Sequence, residues 1–297
     1  MAKFTLELNS HSLSHYQNCA MEYKFSERDL LIPKGDAYYP FKRGEGIARY
    51  MAIWYRARAL NYSADRLELL EEKLIRYMMR SEYFVNSRTT LNLRTRKKEL
   101  LMLDDDKIHI ASRIAAYFNK YRNENYPIIA VEKGFSKVIY EDKSVLFSYS
   151  GRPDLVLDYG KYGIGAMDHK SEAMNRGNLL HFNNQFAGYT WALGNGSGVG
   201  IVNYIGLQKD LQDGKVLRRD AFTFTEAQID RWKSDTIEWY FRILHSIVNK
   251  KWLRSWRCEG KYGPCQYYKI CSTGSRRAEL IKIKQSFEKR DKAYRSW

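Results

Sequence analysis

Asp154, Asp168 and Lys170 are the residues of this sequence best placed to do chemistry. Asp154 closes the tetrapeptide Gly151-Arg152-Pro153-Asp154, and Asp168-His169-Lys170 follows after two short apolar runs. Two carboxylates that converge cannot both ionise cheaply unless a cation lies between them. A small set of hard oxygen ligands suits Mg²⁺ or Mn²⁺, which retain water and accept a phosphate oxygen as a further ligand. A lysine beside such an ion can orient or deprotonate an attacking water and offset charge growing on phosphorus. Together these groups would hydrolyse a phosphodiester. The plainer alternative is that Asp154 closes a turn and Asp168 pairs with Lys170 at the surface. Either half-motif alone is common by chance.

Strands have to bring the two acids together. Val131, Phe135, Val138 and Tyr140 form a first apolar run that carries Glu132. Val145 to Ser150 is a second, resuming at Leu155 to Tyr159, and Tyr162 to Met167 is a third. Runs of this length, rich in Val, Ile, Tyr and Phe and punctuated by Gly, Asp and Pro, predict a meander of neighbouring strands. Alternation at period two puts Asp168 and Lys170 on one strand face and His169 on the other. Asn178 to Leu193 then has helical spacing, with Gln185 and Tyr189 at i, i+4 on one face.

With Glu132, Gly151-x-x-Asp154, Asp168-x-Lys170 and Gln185-x-x-x-Tyr189 in this order, the chain resembles the RecB-like branch of the PD-(D/E)XK nucleases. That branch includes the AddB type and the CRISPR-associated nucleases of spacer acquisition. The resemblance implies an α/β, restriction-endonuclease-like core. It implies that Asp154, Asp168 and the backbone carbonyl of His169 hold the metal, that Lys170 serves the water, and that Gln185 and Tyr189 position the DNA strand. Glu132 falls where members often carry an acid near the site. Relatives have a metal-binding His on an earlier helix; here Gly44-Glu45-Gly46-Ile47-Ala48-Arg49 stands instead, with Glu45 the available substitute or simply a solvated residue.

Cys19 lies near the amino end and Cys258, Cys265 and Cys271 near the carboxyl end. In a long chain without a secretion signal a disulfide framework is not expected. Four thiolates suit a tetrahedral zinc or a 4Fe-4S cluster, and buried unligated thiols are the third alternative. Paired Cys-x-x-Cys knuckles, usual for zinc, are absent. The same nuclease branch carries an iron staple of one early and three late cysteines. The resemblance therefore implies a 4Fe-4S cluster on these four, although the Cys258 to Cys265 gap is longer than the family's. Closing both chain ends on one cluster would couple its assembly to folding.

The chain's 297 residues carry 50 Lys+Arg against 34 Asp+Glu, a net charge of +16, and the sequence pI is about 9.5. Such a field attracts a polyanion, nucleic acid foremost. There is no apolar run of transmembrane length and no signal peptide at the start, so a cytoplasmic protein without membrane partners is expected. No P-loop or helicase motif is present, so any motor working with it is a separate helicase or recombination protein. The expected organisation is 1–60 as the amino-terminal part of the cluster cap with the first core helix, 61–124 as a helical insert, 125–251 as the nuclease core, and 252–297 as the cluster segment and basic tail.

Within those segments, Ser10 or Ser12 is expected to cap a helix carrying Leu13, Tyr16 and Cys19. Phe41 to Leu60 and Ala64 to Tyr83 are expected helices, the second with Glu68, Glu71 and Glu72 on an exposed face. Asp104-Asp105-Asp106 is expected to open a further helix at its positive end. Arg88, Arg94, Arg96, Lys97 and Lys98 are candidate phosphate contacts, or an ordinary solvated basic face. The functional expectation is metal-dependent cleavage of DNA ends or single strands. Two alternatives stand beside it: a catalytically degenerate module of the same fold that grips DNA ends, and a zinc-stapled structural DNA-binding protein.

Overall fold

A computed structural model of the chain describes residues 3–34, 39–80, 93–171, 183–194, 198–206, 216–255, 258–260 and 263–289. The chain opens with strand β1 (Phe4–Leu8), helix α1 (Ser10–Asn18), the short helix α2 (Ala20–Tyr23) with a π-helical continuation (Lys24–Arg28), and β2 (Leu31–Pro33). Three longer helices follow: α3 (Tyr39–Ala59), α4 (Ala64–Arg80) and α5 (Leu93–Tyr121). Next come β3 (Ile128–Val131), β4 (Phe135–Glu141), β5 (Val145–Gly151), β6 (Leu155–Asp158), β7 (Ile164–Lys170) and α6 (Asn184–Leu193). The remainder is β8 (Val199–Ile205), β9 (Leu217–Thr223), α7 (Glu226–Val248), the two-residue strands β10 (Glu259–Gly260) and β11 (Gly263–Pro264), α8 (Tyr268–Cys271), α9 (Arg276–Ser286) and β12 (Phe287–Lys289). The chain divides into two compact units. One comprises Asp36–Lys133 and Arg152–Thr225, the other Met1–Gly35, Gly134–Gly151 and Glu226–Trp297.

The first of these units is built on a five-stranded sheet in the order β3-β6-β7-β8-β9. Its one parallel pair, β7 with β8, is joined through α6, as a parallel pair requires a crossover longer than a hairpin. All seven residues of β8 are buried, which is why Val199 to Ile205 reads as nearly unbroken apolar sequence. Trp54, Met51 and Ile47 of α3, Leu74 and Met78 of α4, and Ile114, Tyr117 and Phe118 of α5 pack into one core with Leu155, Leu157, Met167 and Ile201 of the sheet. Glycine is needed at Gly165, where a Cβ would stand 2.2 Å from the Val199 carbonyl oxygen.

In the other unit, β1 lies parallel to β5 and β5 antiparallel to β4. Tyr240 of α7 stacks on Phe147 at 4.9 Å and donates to the Ser148 carbonyl at 2.5 Å. A smaller core joins Phe25, Leu31, Tyr267, Ile270 and Phe287, with Cys265 and Cys271 packed against it.

Four local expectations change. The expected meander is two sheets: β4 and β5 belong to one unit, β3, β6 and β7 to the other. Glu132 interrupts the first run with φ +52, a left-handed conformation that ends strand pairing, and Pro153 lacks the N–H that would continue the second. Helix α1 is capped by Asn9, not Ser10 or Ser12, with Ser12 as the reciprocal member of a capping box. The acidic triplet 104–106 lies inside α5, which begins at Leu93, so it does not open the helix. Glu71 is buried, accepting from Trp54 Nε1 at 2.9 Å and pairing with Arg122. The expected starts at Asn178 and at Lys215, the connection from Asp210 to Gly214, and Arg88 lie outside the described residues.

Candidate metal centre

The β6–β7 register sets Leu155 opposite Met167, so Asp154 and Asp168, the next residues outward, meet at one end of the sheet. Glu132 joins them because its backbone N–H donates to the Asp154 carbonyl at 2.9 Å. Asp154 Oδ2 in turn accepts from the backbone N–H of His169 at 2.6 Å. Asp168 is buried, with Lys170 Nζ 2.5 Å from its Oδ2. That contact is a close ion pair.

Helix α6 completes the constellation. Asn183 caps it, accepting from the Gln185 N–H at 2.8 Å, and this fixes where the first turn starts. Gln185 Nε2 donates to Asp168 Oδ1 at 3.0 Å, while its Oε1 accepts from Lys170 Nζ at 3.3 Å. The amide thus has one end on the acid and the other on the amine. Tyr189, one turn on, holds Gln185 Nε2 at 3.0 Å and donates to the Arg152 carbonyl at 3.1 Å.

Asp154 keeps some exposed surface, yet the protein packed around its carboxyl, and then the charge of Asp168, hold its pKa well above the ordinary carboxylate range. Glu132 is also raised by desolvation, against the pull of Arg152, 3.1 Å away, and of Arg56. Two neighbouring aspartates, with the charge of Glu132 also felt at Asp154, suit a divalent cation of the hard-oxygen class. Asp154, Asp168 and the His169 carbonyl are the groups available to hold it. Glu45 lies exposed on α3.

The far face of β7 is anchored by a polar network. His169 Nδ1 is 2.7 Å from Asn203 Nδ2, and its ring stacks on Tyr55 at 5.6 Å. Asn203 donates to the Tyr117 hydroxyl at 2.8 Å and accepts from Arg219 Nε at 3.1 Å, and Arg219 pairs with Glu124. Burial first, then the charges of Arg219 and Lys170, push the His169 imidazole down to about 3, so the ring is neutral. None of Asn203, Arg219, Tyr55 and Tyr117 was expected from sequence. The available signal was Asn203 itself, a lone amide in an otherwise apolar strand.

A family model for the PD-(D/E)XK nuclease superfamily matches residues 7–272. The chain belongs to that superfamily. As such it is a mixed α/β protein of a metal-dependent nuclease family, for which Mg²⁺ or Mn²⁺ is the usual ion and DNA the usual substrate. No curated protein matches the chain. Among solved structures, the nuclease is similar to one described as "Crystal structure of SSO0001", at 17% identity over 57% of this chain and 86% of that one, with a TM-score of 0.29. No helix of the described residues is long and apolar enough to cross a membrane.

The four cysteines all lie in the unit that carries α1 and α7, half-buried and free of disulfides. Ser255 spans two of them: its N–H donates to Cys19 Sγ at 3.4 Å and its carbonyl accepts from Cys258 Sγ at 3.6 Å. Cys265 N–H donates to the Cys258 carbonyl at 2.7 Å. Burial pushes the Cys265 thiol up to about 11, and Glu22, Cys271 and Cys19 push it the same way. Among the described residues, no three of these sulfurs come within 4.8 Å of one another.

Proposed function

We propose that this nuclease hydrolyses DNA phosphodiesters with Mg²⁺ or Mn²⁺ held by Asp154, Asp168 and the His169 carbonyl, and that it acts as an exonuclease on ends or single strands. The supporting observation is the Gln185 amide bridging Asp168 and Lys170 beside the desolvated Asp154. The bound ion would supply Lewis-acid polarisation of the scissile phosphate and neutralise the carboxylates. Lys170 Nζ orients the attacking water and offsets charge developing on the phosphoryl oxygens. Gln185 keeps that ammonium within reach of Asp168, and Tyr189 ties α6 to the loop carrying Arg152. Arg152 and Arg56, beside Glu132, are suited to the DNA backbone, with Glu132 balancing them. Cleavage leaves a 5′-phosphate.

The cysteines serve as a structural 4Fe-4S staple in this reading, as in the RecB-like, iron-staple nucleases, with a helicase or recombination protein as the natural partner. The lack of paired Cys-x-x-Cys knuckles in the sequence favours a cluster over zinc.

End-labelled single-stranded, duplex and circular DNA tests the activity. Asp168→Ala and Lys170→Ala should each abolish cleavage with the fold intact, and full activity in both purified variants ends the assignment. Retention of DNA with no product at any Mg²⁺ or Mn²⁺ concentration would favour the end-binding module instead. Iron and sulfide analysis after anaerobic purification decides the staple, and stoichiometric zinc without iron overturns it.

A further inference from the structure

His11 and His15 stand one turn apart on α1, their ring centroids 4.0 Å apart and tilted by 60°. Two imidazoles one helical turn apart can both reach a single ion. Glu27 comes to the same place from the π-helical segment, a backbone irregularity that recurs at functional sites. Its Oε1 is 3.3 Å from His15 Nδ1, and the buried Ser26 hydroxyl is 2.9 Å from the same nitrogen. One ligating atom from each of His11, His15 and Glu27 lies within 4.8 Å of the others. Among the described residues no other group of three His, Cys, Asp or Glu side chains does so. A tetrahedral ion with ligands at ~2.0–2.1 Å separates its donor atoms by about 3.4 Å, so small side-chain rotations close this set.

We propose that His11, His15 and Glu27 form a binding site for a first-row divalent transition ion of the zinc class, with water completing the coordination. Two imidazoles and one carboxylate select zinc, cobalt or nickel and reject Mg²⁺, which demands oxygen ligands. The site also brackets Cys19. His11 and His15 precede that cysteine on α1 and Glu27 follows it, so a bound ion fixes the backbone on both sides of the sulfur. No ligand is shared with the acids or with the cysteines.

The test uses the full chain purified anaerobically, its cysteines in their native state, stripped with a chelator and titrated with Co²⁺. With saturating Mg²⁺ present to occupy the acid site, the expected result is one equivalent bound, showing visible d–d bands without a thiolate-to-cobalt charge-transfer band, and Zn²⁺ should displace it. Asp168→Asn should leave this binding unchanged. His11→Ala, at an exposed position, and Glu27→Gln should each weaken it by about 100-fold or more, since even loss of a residue supporting a ligand costs 10–100-fold. Unchanged Co²⁺ affinity in both variants, or a thiolate band in the spectrum, overturns the proposal.

Discussion

Replacing Gln185 with leucine separates a positioning role in the acid site from a role in DNA contact alone. Leucine keeps most of the side-chain volume on α6 but removes the donor to Asp168 Oδ1 and the acceptor for Lys170 Nζ. A hydrogen bond to a charged group is worth about 1.5–3 kcal/mol. If that loss falls wholly on the transition state, at 1.36 kcal/mol per tenfold, the single-turnover rate drops about 10- to 150-fold. Gln185→Glu sharpens the test, because it retains an acceptor for Lys170 while presenting an oxygen to Asp168. It should be no faster than the leucine variant. The assay is single-turnover cleavage of end-labelled DNA at saturating Mg²⁺, so that altered metal affinity cannot mimic altered chemistry. A loss confined to DNA affinity, with the bound complex reacting at the parent rate, refutes the positioning role. A fully active Gln185→Glu refutes the Asp168 contact in particular.

Three further outcomes rest on the same unit. Glu71→Leu strands a buried indole N–H and Arg122, and should lower stability by about 3 kcal/mol, the low end for a broken buried pair because Arg122 keeps some exposure; urea denaturation measures it. Gly165→Ala drives a Cβ against the Val199 carbonyl and the Tyr159 ring. It should cost ~3 kcal/mol and reduce cleavage by shifting β7, with normal stability and activity the refuting result. His169, neutral in the fold with a pKa near 3 and titrating near ~6.5 when unfolded, makes the unfolded chain the greater proton binder between those values. Stability therefore falls as pH drops through that window, by up to ~1.4 kcal/mol per pH unit from this residue. The difference between the parent chain and His169→Asn isolates that slope.

The parts of the site carried by neighbouring residues were legible in the sequence. The spacing of Asp168 and Lys170 on one strand face, and of Gln185 and Tyr189 on one helix face, follows from local periodicity, and the structure has both. What local pattern could not give was partnership across the chain. Glu71 looks like its exposed neighbours Glu68 and Glu72 until Trp54 and Arg122 are placed beside it. Nothing near Glu132 announces that the apolar run around it is split between two sheets, because one left-handed residue does that. The capping box is readable as Asn9-x-x-Ser12, a pattern that competes locally with Ser10 and Ser12 as caps. Arg219 and Asn203 matter only through strand register, which long-range pairing decides.

The backbone passes between the two units at four places, after Gly35, Lys133, Gly151 and Thr225. During translation the unit bearing Asp154 and Asp168 is complete in sequence once Thr225 has been made. Its companion must still wait for α7 and for Cys258, Cys265 and Cys271. Removing the carboxyl end back to Thr225 would therefore delete most of one unit while sparing every residue of the other, whereas no cut near the amino end could separate them.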